Sequence, residues 1–155
     1  MRATILILEP RPSTRSILRR VLEELEHPTL LHAETTRAAA EILDGVRVDV
    51  AFIDLGFSED RGIHFIHGIR QGLYCDDRRL PIIAVAEARA DLFRRARAAV
   101  VSGFLASPFS RAEVALQLRQ IRQDPGAFIA LASVTNGEGF KSMIEICDGK
   151  TAKAV

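Results

Sequence analysis

Five short apolar runs, each followed by a segment with helical periodicity, constrain the fold of this 155-residue chain more than any other feature. The runs are rich in aliphatic and β-branched side chains and are bounded by charges, prolines or glycines, which is typical of strands buried on both faces. They are Ala3–Leu8, Thr29–His32, Val48–Asp54, Pro81–Ala86 and Val101–Ala106. Since neighbouring parallel strands need crossover connections, this alternation predicts a parallel sheet with helices on both faces.

The segments between the runs carry helix start and stop signals. Thr35 or Thr36 can cap the second helix and Gly45 can end it, while Ser110 and Glu113 form a capping box at the start of the last helix. Residues at three- and four-residue spacings predict the buried stripes of the first and last helices, namely Ile17, Leu18, Val21, Leu22 and Leu25, and Val114, Leu118 and Ile121. We predict a doubly wound α/β domain, flavodoxin-like, with five parallel strands in the order 2-1-3-4-5.

Composition excludes several classes of protein. The net charge of +1, with 26% charged and 48% hydrophobic residues, argues against a disordered chain and gives no general attraction to nucleic acid or membrane. No apolar stretch approaches the roughly 20 residues of a membrane span, and the N-terminal run is too short for a signal peptide. Cys75 and Cys147 show neither a disulfide framework nor zinc-site spacing, so we expect reduced thiols and a cytoplasmic location.

Two acidic residues mark the ends of predicted strands. Glu9 follows the first run, and Asp54 ends the third. In a doubly wound sheet the carboxyl ends of strands one and three meet where the strand order reverses, which is where such sheets bind ligands. The sequence therefore predicts that Glu9 and Asp54 lie close together at a functional edge.

From Arg2 to Arg122 the chain resembles the receiver domain of two-component response regulators. The resemblance rests on Ile5–Glu9, on Phe52–Leu55, on Gly62 at the start of the third helix, and on Gly103–Phe109, which is similar to the loop that carries a lysine before Pro-Phe in that family. It implies a signalling domain that receives a phosphoryl group from a histidine kinase.

The resemblance also assigns roles to individual residues. Asp54 would be the phosphoacceptor, and Glu9, Asp54 and the carbonyl of Gly56 would hold Mg²⁺. Pro10 stands where the family has a second acidic residue, and because proline offers no side-chain oxygen we expect only weak binding of Mg²⁺.

Three further positions depart from the family pattern. Ala86 replaces the hydroxyl residue that contacts the attached phosphoryl group, Ser107 replaces the lysine, and Phe104 lacks a phenolic hydroxyl. The three lysines of the chain, Lys141, Lys150 and Lys153, all lie beyond the matching region. These departures predict a degenerate, pseudo-receiver-like domain in which phosphorylation of Asp54 is weak or absent.

An arginine-rich fourth helix gives a candidate docking surface. Arg94, Arg95 and Arg97, together with Phe104, form the predicted partner-binding face for a histidine kinase or another signalling protein. A solvated surface is the simpler interpretation of such a helix. A nucleic-acid-binding adaptor is a rival hypothesis, although the sequence contains no helix-turn-helix or other DNA-reading module.

Beyond the predicted receiver-like domain, residues 1–122, lies an extension, residues 123–155. Its apolar runs Phe128–Val134 and Phe140–Cys147 flank Thr135–Gly139, and the Asn-Gly pair in this turn predicts a β-hairpin. An isolated hairpin is only marginally stable, so we expect it to pack on its own domain or on a second copy in a homodimer.

The functional expectation is a stand-alone receiver protein that acts through reversible protein binding and is not an enzyme. The alternative is a conventional Asp-phosphorylated single-domain response regulator or a phosphorelay shuttle.

Overall fold

The computed structural model describes residues 2–56, 60–132 and 153–154. Within these ranges the strands are β1 (Thr4–Leu8), β2 (Thr29–Ala33), β3 (Val50–Asp54), β4 (Ile82–Glu87), β5 (Gly103–Ser107), β6 (Ile129–Ala132) and β7 (Lys153–Ala154). The helices are α1 (Pro12–Glu26), α2 (Thr36–Gly45), α3 (Arg61–Arg70), α4 (Ala90–Ala98) and α5 (Arg111–Gln123). No helix in this part of the chain combines the length and the hydropathy of a membrane span.

The sheet has the strand order β2-β1-β3-β4-β5-β6-β7. Strand β1 pairs in parallel with β2 and with β3, and β4 pairs in parallel with β5. The predicted α/β fold and the order 2-1-3-4-5 of its first five strands are thereby confirmed. All residues of β3 are buried, and so are Ile82–Ala86 of β4, as expected for strands covered on both faces.

The chain divides into two compact units, Met1–Ile82 and Ile83–Val155. Apolar residues of β1 and β3 are buried in the first unit, and the rings of Phe93 and Phe104 are buried in the second. The predicted boundary near residue 122 stays a prediction, and β6 lies in the second unit.

Helix starts follow the signals in the sequence. The Thr35 hydroxyl accepts a hydrogen bond from the Ala38 N–H at 3.1 Å and caps α2, and the capping box of Ser110 and Glu113 opens α5. The predicted stripe of α1 was too wide, because Leu18 and Leu22 are buried whereas Ile17 is 53% exposed. Spacing alone placed Ile17 on the stripe, but the core contacts a narrower strip of the helix surface.

The C-terminal segment extends the sheet. Strand β6 pairs in parallel with β5, aligning Gly103 with Ile129, and β7 pairs in parallel with β6. Within the described residues, the first run of the predicted hairpin therefore packs on its own chain. The predicted turn Thr135–Gly139 and second strand Phe140–Cys147 lie outside those residues.

Candidate acceptor site at the ends of β1 and β3

The parallel pairing of β1 with β3 places two carboxylates at one edge of the sheet. Leu8 is aligned with Ile53, so the next residues, Glu9 and Asp54, emerge side by side. Each is only 2% exposed. The structure thus brings together the two acidic residues singled out in the sequence.

A third residue, Arg11, completes this cluster. Its Nε donates to Glu9 Oε1 at 2.9 Å, and its Nη2 donates to Asp54 Oδ2 at 2.8 Å. The Arg11 side chain is 51% exposed, whereas those of Glu9 and Asp54 are almost fully covered. The guanidinium therefore closes the cluster from the solvent side and bridges the two buried carboxylates.

The local sequence explains how Arg11 reaches the carboxylates. Pro12 disfavours helical conformation in the residue before it, and Arg11 has the extended angles φ −88° and ψ 117° as the N-cap of α1. Its backbone N–H donates to Glu9 Oε1 at 3.0 Å. Arg15, one turn into α1, donates through Nη1 to the Glu9 carbonyl at 3.0 Å. The turn between β1 and α1 is therefore tied to Glu9 by both arginines.

Arg11 was not predicted from the sequence, because the family resemblance points to a lysine as the compensating cation. The available signal was a basic residue two positions after Glu9, held between Pro10 and Pro12. Its contact with Asp54, 43 positions away, depends on strand register and could not be read from spacing.

Backbone packing holds the other side of Asp54. The Gly56 N–H donates to Asp54 Oδ1 at 2.5 Å. A Cβ on Gly56 would lie 2.7 Å from that oxygen, and a Cβ on Gly62 would lie 2.6 Å from the Asp54 carbonyl oxygen. Both glycines therefore allow the chain to approach Asp54 more closely than any side chain would permit. As a result, each carboxylate oxygen of Asp54 accepts a hydrogen bond.

Burial dominates the electrostatics of the cluster. Burial first, and then the hydrogen bond and negative charge of Glu9, raise the pKa of Asp54 to about 7, against the lowering effects of the Gly56 N–H and the Arg11 charge. The pKa of Arg11 is raised, chiefly by its hydrogen bond to Glu9. One guanidinium does not offset the desolvation of two carboxylates, so the cluster retains a proton to near neutral pH.

The residues present are a poor fit to Mg²⁺. This ion prefers an octahedron of oxygen ligands, whereas the cluster offers two carboxylates and Pro10 contributes none. Among the described residues, no group of three or more His, Cys, Asp and Glu side chains is placed to hold a metal ion. A cationic guanidinium already contacts one oxygen of each carboxylate.

The remaining predicted positions lie in the second unit. Ala86 is 3% exposed near the end of β4, and Ser107 ends β5 and is partly exposed. Phe104 is fully buried and packs edge-on against Phe93, with ring centroids 5.5 Å apart. Because its ring is inside the core, Phe104 is not part of the surface that the sequence assigned to partner binding.

One arginine of α4 borders the C-terminal segment. The guanidinium of Arg97 lies 4.1 Å from the centre of the Phe128 ring, and that ring packs edge-on against Phe93. Arg94 is exposed, and Arg95 is partly exposed. The three arginines thus share one short helix, and Arg97 contacts Phe128, the residue before β6.

Known structures share the fold of about four-fifths of this chain. CheY4, a chemotaxis protein of Vibrio cholerae, is 20% identical over 78% of this chain and 99% of its own, with a TM-score of 0.69. A signal receiver domain of an HD domain-containing protein from Pseudomonas fluorescens Pf-5 is 21% identical over 79% of this chain and 96% of its own, with a TM-score of 0.70. A third structure is the receiver domain of a sensor histidine kinase from Pseudomonas aeruginosa PAO1, solved with magnesium in its active-site cleft. It is 24% identical over 79% of this chain and 99% of its own, with a TM-score of 0.65.

These similarities define the fold as that of receiver domains. The family model of the response regulator receiver domain matches residues 5–119, and the chain belongs to that family. No curated protein matches the sequence.

Proposed function

We propose that this protein is a receiver module of two-component signalling that works through reversible protein binding, with phosphorylation of Asp54 weak or absent. The observation that carries the proposal is the bridging of Glu9 and Asp54 by Arg11. Membership of the receiver family supports the signalling role.

The state of Asp54 bears directly on its reactivity. To attack a phosphoryl group, a carboxylate oxygen must be accessible and the surroundings must neutralise the charge of the transferred group. Asp54 is 2% exposed, and its two oxygens accept hydrogen bonds from Arg11 and Gly56. Arg11 is already engaged in neutralising two carboxylates. Attack would therefore require that its bond to Asp54 be broken first.

Two residues of the second unit support the proposal that phosphorylation of Asp54 would change the partner-binding surface little. Ala86 has no hydrogen-bond donor in its side chain, and Ser107 carries no positive charge. These two positions therefore lack the hydroxyl group and the cation that the family resemblance assigns to them. We propose that the partner-binding surface, including Arg94, Arg95 and Arg97, is largely preset and recognises an acidic patch on a histidine kinase or another signalling protein.

Incubation with a small-molecule phosphodonor and Mg²⁺, followed by intact-mass measurement, tests the proposal. We expect less than about a tenth of the wild-type chains to carry phosphate, because Asp54 is covered and one of its oxygens is bonded to Arg11. Asp54→Ala provides the background level. Stoichiometric phosphate on the wild type and none on Asp54→Ala would show that the protein is a conventional phosphoacceptor.

That conventional role is the second candidate function, and one observation favours it. Glu9 and Asp54 meet at the end of the sheet, which is the arrangement that the family resemblance assigned to an acceptor site. A phosphorelay shuttle would also pass its phosphate onward. Transfer of label from phosphorylated wild-type protein to a histidine-containing phosphotransfer protein would distinguish a shuttle from a terminal acceptor.

A further inference from the structure

We infer that Arg11 is a built-in cation that occupies the place of a divalent metal between Glu9 and Asp54, and that it excludes Mg²⁺ from this edge of the sheet. The inference rests on the proposed function only for the meaning of Asp54 as the acceptor position. It concerns cation binding in the absence of any phosphodonor.

The contact geometry is that of a bridging cation. Two different nitrogens of one planar group reach two different carboxylates, at 2.9 Å and 2.8 Å. A guanidinium is suited to this because its donors are fixed in a fork and it stays charged at every physiological pH. Arg11 thus places one positive charge against two adjacent buried carboxylates.

A metal ion would have to compete with Arg11 for the same atoms. Glu9 Oε1 and Asp54 Oδ2 are the oxygens that the guanidinium contacts, and a divalent cation would meet its positive charge there. The arginine is covalently tethered, so its effective concentration at the site greatly exceeds that of a free ion. Pro10 removes the extra carboxylate that could tip this competition toward the metal.

The chain around Arg11 maintains the bridge. Its own backbone N–H also bonds Glu9 Oε1, and Arg15 bonds the Glu9 carbonyl, so the turn is fixed at several points. The Arg11 side chain is half exposed. Its removal therefore opens the two carboxylates to solvent without creating a cavity in the core.

The test is an amide NMR titration with Mg²⁺, with line broadening by Mn²⁺ as a second readout, that follows the Gly56 N–H bonded to Asp54. We expect no saturable shift in the wild type and a saturable shift in Arg11→Ala, corresponding to an increase in affinity of about tenfold or more. Arg11→Lys should fall between them, because an ammonium cannot form the same fork. Arg19→Ala, at a residue of similar exposure that pairs with Glu23, is the matched control and should resemble the wild type.

A second pair of variants tests the inference in a stronger site. Pro10→Asp adds a carboxylate while keeping Arg11, and Pro10→Asp combined with Arg11→Ala adds it without the arginine. We expect the double variant to bind Mg²⁺ about tenfold or more tightly than Pro10→Asp alone. Thermal unfolding and amide dispersion of each variant verify that it is folded.

Two results would overturn the inference: equal Mg²⁺ affinity in the wild type and Arg11→Ala, or no gain in affinity on removal of Arg11 in either background. The proposed function fails by a different measurement. A wild type that binds no Mg²⁺ but becomes stoichiometrically phosphorylated would contradict the proposed function and leave the role of Arg11 standing.

Discussion

Arg11 is a half-exposed side chain that bridges two buried carboxylates. Ion pairs between exposed groups contribute little to stability. Removal of the cation from a buried carboxylate, in contrast, leaves its charge uncompensated. Glu9 and Asp54 are both 2% exposed, so the loss of Arg11 affects two buried carboxylates.

The first prediction concerns stability. Arg11→Ala should lower the free energy of unfolding by about 1–3 kcal/mol at pH 8, because two ionised carboxylates lose their cation and gain only partial access to solvent. Urea denaturation followed by circular dichroism measures the loss. Arg19→Ala should cost at most about 0.5 kcal/mol, as expected for an exposed pair at i and i+4. Equal effects of the two substitutions would argue against a structural role for the bridge.

The second prediction is a pH dependence. Because the pKa of Asp54 is raised to about 7 in the folded protein, against about 3.9 in an unfolded chain, the folded state binds more protons between these values. This contribution to stability is fully present below the unfolded pKa and is lost as pH rises through 7. We expect the contribution of Asp54 to the free energy of unfolding to fall by about 1–3 kcal/mol between pH 5 and pH 8.

Asp54→Asn removes the titrating group and is the control for that pH dependence. Its unfolding free energy should vary less between pH 5 and pH 8 than that of the wild type. Urea denaturation at both pH values measures the difference. A slope that persists unchanged in Asp54→Asn would assign the effect to another group.

At the level of elements, Gln117 connects β6 to α5 and β5 through side-chain hydrogen bonds. Its side chain is fully buried on α5, and Nε2 donates to the Phe104 carbonyl at 3.0 Å and to the Ile129 carbonyl at 3.2 Å. One amide thus connects α5 with two neighbouring strands. Its Oε1 has no hydrogen-bond partner among the described residues, which is a cost that the two donated bonds offset.

The third prediction is that Gln117→Ala loosens β6. Loss of the two donated bonds leaves buried carbonyls without this partner and should destabilise the protein by about 1–3 kcal/mol. Hydrogen exchange should accelerate most at the amides of Ile129–Ala132. Gln123→Ala, at the exposed end of the same helix, is the matched control. Unchanged exchange in β6 would show that strand pairing alone holds it.

The fourth prediction is that substitutions at Gln117 and Gly103 have non-additive effects on stability. A Cβ on Gly103 would lie within van der Waals overlap of Gln117 Oε1, so Gly103→Ala should displace the amide and destabilise the protein by about 1–3 kcal/mol. In the Gln117→Ala background the same change should cost much less. A double-mutant cycle from urea denaturation measures the coupling, and additive effects would contradict it.

At the level of the whole molecule, the balance of charge bears on the rival nucleic-acid hypothesis. The net charge is +1, and within the second unit Arg89 pairs with Asp91 at 2.7 Å while Arg97 lies over Phe128. Part of the positive charge near α4 is therefore engaged in contacts within the protein.

The fifth prediction follows from that balance. Titration of fluorescent duplex DNA should show no saturable, salt-dependent binding at about 50–200 mM salt, because few phosphates would be neutralised. Fluorescence anisotropy measures this. A steep loss of affinity with added salt that disappears in an Arg94→Ala, Arg95→Ala variant would revive the nucleic-acid hypothesis.

The sequence predicted much of the architecture, because buried parallel strands and amphipathic helices leave periodic patterns. The core face of α5, with Val114, Leu118 and Ile121, was confirmed in this way. The same pattern could not predict the role of Gln117, a polar residue on that face, because its side chain bonds carbonyls of two other segments. The role of Arg11 could not be predicted for the same reason, because contacts between segments depend on how the strands align in three dimensions.

The pairing of β6 with β5 has a consequence for solubility. An uncovered edge strand presents rows of unpaired N–H and C=O groups on which strands of other chains can assemble. In this protein the chain itself occupies that edge of β5, at Gly103, Phe104 and Leu105. We expect variants that release β6, such as Gln117→Ala, to aggregate in a concentration-dependent manner, which light scattering would detect.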